Sequence, residues 1–314
     1  GDVIVNLGRA EGVLPTTEQI PRERFRQGDT IRAYVKDVLR ETKGPQVILS
    51  RTHPEFLEQL FPIEVPEIYD GLVEIMAVAR DPGNRAKIAV TSHDERIDPV
   101  GACIGPKGSR VQAVVRELNN ERIDIIEWSS DPETFLLNSL APAEVERIIV
   151  EHDTHTMIAI ASEDQLSPAI GRGGQNVRLA AMLTGWRVEV LSEEQYHQRQ
   201  ERNEFLAVPI DELPDIDEAT KAALRNAGFT TAQELLNYSA FDLEAKTGLP
   251  LDTTAQLLDD AQDLDDARRE EYAKQMSIPV EYTGVDLATF VAEPPPVVEE
   301  SVAEDEEHEA VSAE

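Results

Sequence analysis

The chain has 314 residues, a hydrophobic fraction of 41%, and 61 acidic against 29 basic side chains, a net charge of -32. With domains of roughly 50 to 150 residues each, this length makes three or four units, and the apolar content supports packed cores. One cysteine, Cys103, excludes an internal disulfide, and no apolar run approaches the roughly 20 residues of a membrane helix, so the composition reads as a cytoplasmic protein.

The charge is uneven. Residues up to Leu191 carry a net -9 and those after it -23, while residues 1–53 hold 9 basic and 7 acidic side chains. The global acidity therefore does not veto a polyanionic partner for the N-terminal part.

Residues 2–7 and 30–39 alternate apolar and polar, and 46–50 form a third run. Gly8, Gly12, Gly28-Asp29 and Lys43-Gly44-Pro45 supply turns, which predicts part of a small barrel over 1–53. The opening Gly-Asp-Val-Ile-Val falls inside strand-like alternation, without an initiator Met or a basic signal region, and reads as a fragment.

Phe56, Leu57, Leu60 and Phe61 recur at helical spacing, and 72–79 and 85–91 read as strands paired across Asp81-Pro82-Gly83. After Ile104-Gly105-Pro106-Lys107-Gly108, the residues Val111, Val114, Val115 and Leu118 make one apolar helix face, and 122–128 reads as a strand. The order then returns: a helix from Asp131-Pro132, strands at 145–150 and 156–161, and Ile170-Gly171-Arg172-Gly173-Gly174.

A shift of 66 positions lays Ile104, Gly105, Gly108, Val111, Val114 and Val115 on Ile170, Gly171, Gly174, Val177, Ala180 and Ala181. With one residue deleted, Ile123 and Ile125 meet Val188 and Val190. A lone Gly-x-x-Gly is most often a plain helix–helix turn. Two copies with matching flanks point instead to KH-type modules, in which side-chain-free glycines let a sugar-phosphate backbone approach and the next helix N-terminus favours phosphate.

The expected RNA contacts are the loops Ile104, Gly105, Pro106, Lys107, Gly108 and Ile170, Gly171, Arg172, Gly173, Gly174, with Arg110, Gln175, Asn176 and Arg178 in the turn that follows. Lys107 and Arg172 are the cations placed to meet phosphate.

Blander readings win elsewhere. His152-x-x-His155 lies at a strand–turn–strand with no cysteine nearby, so no metal or cofactor is expected. Cys103 has no neighbouring base and reads as a small buried side chain. Trp128 and Trp186 flank strands and read as core or rim packing ahead of base stacking.

Residues 192–204 are polar and rich in Gln, Glu and Arg, a linker or helical extension, and 205–266 reads as a compact acidic helical region. Pro294-Pro295-Pro296 and the acidic stretch Glu300–Glu314 lack the apolar content to offset ordering entropy. The excess charge after Leu191 suggests an acidic mask over the RNA face; removing 192–314 should then tighten RNA binding at low salt.

Several longer segments carry a family resemblance: Phe61-Pro62-Ile63-Glu64-Val65-Pro66-Glu67-Ile68, Ala79-Arg80-Asp81-Pro82-Gly83, Arg85-Ala86-Lys87-Ile88-Ala89-Val90, Arg96 to Cys103, and Ala169 to Ala180. With Val5-Asn6-Leu7-Gly8 and Phe25-Arg26-Gln27-Gly28-Asp29, they resemble the NusA family of bacterial transcription elongation, termination and antitermination factors. The resemblance implies a multidomain α+β fold in which an OB-fold barrel precedes two tandem type II KH domains.

The boundaries that follow are a partial OB-fold over 1–53, KH domains over 54–130 and 131–192, a linker over 193–204, an acidic helix-hairpin-helix-like domain over 205–272, and a disordered tail over 273–314. The resemblance further implies a non-enzymatic monomer bound to nascent single-stranded RNA and to RNA polymerase, with other Nus-type elongation factors as partners and no membrane. It also implies that the family's N-terminal polymerase-binding domain and first OB strands are missing here. Two rivals are an RNA-decay enzyme that combines KH and OB folds and a ribosome-associated KH protein. The order of domains disfavours the first, and the acidic C-terminal half the second.

Overall fold

The computed structural model describes residues 1–39, 44, 47–283 and 290–296. Two units partition the chain. One comprises Gly1–Ala159, Asp164–Val190 and Val291–Glu314, and the other Ile160–Glu163 with Leu191–Phe290.

In the first unit, N-terminal alternation produces β1 (Val3–Asn6), β2 (Glu11–Leu14), β3 (Tyr34–Val38) and β4 (Val47–Ser50), in the sheet order β1-β2-β4-β3. β1 and β2 are antiparallel, while β2 and β4 run parallel. Gly12 is not a turn residue as expected. It sits within β2 opposite Val5 and Val47, where a Cβ would come within 3.0 Å of the Leu49 side chain. Close packing, not turning, explains this glycine. Of the expected turn Lys43-Gly44-Pro45, Lys43 and Pro45 lie outside the described residues.

The sheet leads into α1 (Pro54–Glu64) and α2 (Pro66–Tyr69), then β5 (Glu74–Asp81), β6 (Arg85–Thr91), α3 (Pro99–Ile104), α4 (Ser109–Glu117) and β7 (Arg122–Glu127). Strand order is β5-β6-β7, with β5 antiparallel and β7 parallel to β6. Phe56, Leu57, Leu60 and Phe61 on α1, Ile88 and Val90 on β6, Val114 on α4 and Leu118 at its end fill one core. Ile20, which precedes these elements, joins it.

The repeat follows as α5 (Pro132–Ser139), β8 (Arg147–Glu151), β9 (Thr156–Ile160), α6 (Glu163–Ile170), α7 (Gln175–Thr184) and β10 (Arg187–Leu191), with β8, β9 and β10 in the same neighbour order as β5, β6 and β7. Asp98 and Asp131 start α3 and α5 as N-caps, accepting from the amides of Gly101 and Thr134.

Buried charges lock these pieces together. Arg80 and Glu121 pair at 2.7 Å with side chains 1% and 0% exposed, and Glu121 also accepts from the Gly83 amide. Arg51 reaches Glu23, Glu117 and two backbone carbonyls. Burial alone would lower its pKa, but the two carboxylates outweigh that and raise it. Lys87 is buried, bonded at 3.0 Å to both Asp124 and the Ala141 carbonyl, and burial depresses its pKa.

In the second unit, Ser192 opens α8 (Glu193–Leu206) with a capping box. Then come α9 (Glu218–Asn226), α10 (Ala232–Leu235), α11 (Ala240–Thr247) and α12 (Leu251–Met276). Val208, Ile210, Leu224, Phe229, Leu235, Leu243 and Leu257 share its core.

Order extends past the expected boundary at 272: α12 runs to Met276, a single helical turn covers Val280–Tyr282, and β11 (Phe290–Ala292) forms a strand. Ala273, 3% exposed, lengthens the buried face of α12, and charge counting hid it. The acidic stretch Glu300–Glu314 lies outside the described residues.

Candidate nucleic-acid interface

The two loops have the same backbone. Gly105 ends α3 at φ 72°, ψ 176°, and Gly171 follows α6 at φ 76°, ψ 167°, a region open essentially to glycine alone. Gly108 and Gly174 are left-handed N-caps at φ 75°, ψ 14° and φ 73°, ψ 14°. Between them, Lys107 (φ 53°) and Gly173 (φ 61°) occupy equivalent left-handed positions.

The cations are therefore offset by one residue: Lys107 is the second variable position of its loop, and Arg172 the first of the other. Both are exposed, as is Pro106.

Glycine N-caps leave the first turns of α4 and α7 without a side-chain cap. Backbone amides and the positive helix end thus face the loop, which suits a phosphate oxygen. Ile104 is 38% exposed beside its loop, and Ile170 is half-buried. Arg178 is exposed and donates to the Gly173 carbonyl at 3.2 Å.

Three expected contacts are engaged inside the protein. Gln175 donates to Asp81 at 2.8 Å, tying the second loop to the β5–β6 turn. Arg110 donates to Glu67 at 2.8 Å and to the Ala102 carbonyl at 2.7 Å. Asn176 is 1% exposed and donates to the carbonyls of Leu140 and Ala169. Full burial removes Asn176 from direct contact with an external ligand and corrects that expectation.

Sequence reasoning missed Asp81 and Glu67 as partners, because each lies far along the chain from the loop it supports. It also missed the seat of α7. Leu179 and Leu183 pack on Ala79, Ala89 and Ile126, where small side chains let the helix lie close to the β5-β6-β7 sheet.

Burial pushes the Cys103 thiol up to about 12, with Glu67 adding to the effect, so Cys103 is an unreactive core residue. The His155 ring stacks on Trp186 at 3.8 Å, while His152 meets its edge at 6.0 Å. Trp128 leans on Phe135 at 6.5 Å. Both tryptophans are partly exposed packing residues. Among the described residues, no helix is long and apolar enough to cross a membrane.

Comparison with known proteins places this geometry. Residues 51–128 match the description NusA-like first KH domain, and residues 132–198 match NusA-like second KH domain. A protein named Transcription termination/antitermination protein NusA from Rickettsia prowazekii is 41% identical over 282 residues, covering 88% of this chain and 56% of the relative.

Proteins of the same name from Bacillus subtilis and Thermus thermophilus are 52% identical over 191 and 186 residues. They cover 61% and 59% of this chain, and 52% and 48% of the relatives. The chain thus spans about half the length of the curated relatives it matches. With its twin loops, its two sheets of matching order and these relatives, the chain is NusA-like, a multidomain α+β protein built around two tandem KH domains of the NusA type.

Proposed function

We propose that the chain is a non-enzymatic RNA-binding transcription factor that grips nascent single-stranded RNA at RNA polymerase and modulates pausing, termination and antitermination. One observation carries the reading: two loops 66 positions apart share a glycine-dependent backbone, each leading into an uncapped helix start. The relatives' names supply the transcriptional setting.

In this reading Gly105, Gly108, Gly171, Gly173 and Gly174 bring the RNA backbone close, Lys107, Arg172 and Arg178 neutralise phosphate, and Ile104, Pro106 and Ile170 line the approach. Arg110, Gln175 and Asn176 support the loops. Polymerase and other Nus-type elongation factors are the expected protein partners of a monomer acting in the cytoplasm.

The test is direct. Lys107→Asp with Arg172→Asp should weaken binding to single-stranded RNA while thermal stability holds, because both side chains are exposed. Unchanged affinity in that double variant would refute the assignment of the loops.

A further inference from the structure

Arg110 and Asn176 are different residue types at the same place in the repeat, each five positions beyond the first glycine of its loop. Both reach back to the last turn of the preceding helix. Arg110 Nη1 donates to the Ala102 carbonyl at 2.7 Å, and Asn176 Nδ2 donates to the Ala169 carbonyl at 3.0 Å. Such last-turn carbonyls lack ordinary helical partners. The residue that would serve Ala102 four positions on is Pro106, which has no N–H.

Both side chains also fill the space beneath the first glycine. A Cβ on Gly105 would lie 2.5 Å from Arg110 Cγ, and one on Gly171 would lie 2.8 Å from Asn176 Cβ.

The two braces differ in chemistry. Arg110 and Glu67 form a 2.8 Å ion pair with side chains 26% and 31% exposed, so water and salt reach it. The Asn176 amide is sealed and neutral, with its second donor bond at 2.9 Å to Leu140.

We infer that Arg110 and Asn176 are equivalent positioning residues that hold the two loops in their RNA-presenting shape, and that the Arg110 brace, unlike the Asn176 brace with its backbone-carbonyl partners, depends on a further side chain, the Glu67 carboxylate. This rests on the RNA-gripping role proposed above. Glu67 lies on α2, outside the repeat's loop, and is itself negative. Its contribution to RNA binding would therefore run against its charge.

That opposition supplies the test. Glu67→Gln removes a negative charge, so long-range electrostatics alone would tighten binding to a polyanion. Loss of the brace instead weakens it, by about threefold for a half-exposed ion pair. Binding of a fluorescent single-stranded RNA of roughly ten nucleotides, two four-nucleotide footprints and a margin, is measured across salt concentrations. NMR spectra of the protein without RNA are recorded alongside.

The expected result is weaker binding with an unchanged salt slope, amide shifts at Gly105 and Gly108, and none at Gly171 or Gly173. Asn176→Ala should give the mirror pattern, with affinity lower by about tenfold for loss of a buried hydrogen-bonding side chain. If that variant fails to fold, the Glu67 result still decides. Equal or tighter RNA binding by Glu67→Gln, with unmoved Gly105 and Gly108 amides, would overturn the inference. Lys107→Ala with Arg172→Ala is the companion variant. If it leaves affinity intact, the RNA reading itself fails; if it weakens binding while Glu67→Gln does not, only the positioning inference fails.

Discussion

Gly171→Ala and Gly173→Ala, two residues apart in one loop, should behave very differently. At Gly171, φ 76° with ψ 167° is a conformation that costs a side chain about 1–3 kcal/mol. The added Cβ also meets Asn176 at 2.8 Å from its Cβ and 2.8 Å from its backbone nitrogen, atoms of a helix start that cannot swing away. Overpacking of that kind costs a further 1–3 kcal/mol or so.

At Gly173, φ 61° and ψ 26° lie in the ordinary left-handed region, nothing stands within 4 Å of the new Cβ, and Lys107 already carries a side chain at the matching position. The cost there is about 1–2 kcal/mol. Urea unfolding of the two variants, together with RNA affinity, should show Gly171→Ala destabilised by about 2–6 kcal/mol and defective in binding. Gly173→Ala should lose only about 1–2 kcal/mol and keep its RNA affinity. Equal stability losses would refute the claim that the first glycine is required by close approach to the helix.

Two further predictions follow from the scaffold. Glu121→Ala strands the Arg80 guanidinium, whose side chain is 1% exposed, and removes the acceptor of the Gly83 amide. Chemical denaturation should show a loss of about 3–5 kcal/mol, and a loss below about 1 kcal/mol would contradict the burial of that pair.

The Asp131 carboxyl is held below its ordinary 3.8 by hydrogen bonds from the Thr134 hydroxyl and amide. Its stabilising cap is therefore fully present above about pH 4 and lost as pH falls through the lowered value. Hydrogen exchange at the Thr134 amide should accelerate only on acidification below pH 4, relative to its intrinsic rate. Acceleration between pH 7 and 5 would contradict the cap.

The loops were legible because they are duplicated: one offset aligned Gly105 with Gly171 and Gly108 with Gly174, and periodicity placed α4 and α7 behind them. What periodicity could not supply were contacts distant in sequence. Arg110 and Asn176 lie in the turn where an RNA contact belongs, and only the fold shows that their donors are already engaged at Glu67, Ala102, Leu140 and Ala169. A repeat-level signal was nonetheless present, since the two polar residues align at the same 66-residue offset.

Gly12 misled for a related reason, as glycine marks a turn or a close approach equally well until the opposing Leu49 is known. The end of α12 was lost to composition. Its acidic surface resembles the tail beyond it, while its buried side is carried by residues as small as Ala261 and Ala273.

The central claim is that the twin loops hold RNA through its phosphates. The most direct measurement is the salt dependence of single-stranded RNA affinity for the parent chain and for Lys107→Ala with Arg172→Ala. Each lost phosphate contact lowers the magnitude of the log–log slope by about 0.7. The double variant should therefore bind more weakly, with a slope shallower by about 1.4. Identical affinity and slope in the two proteins would contradict the account.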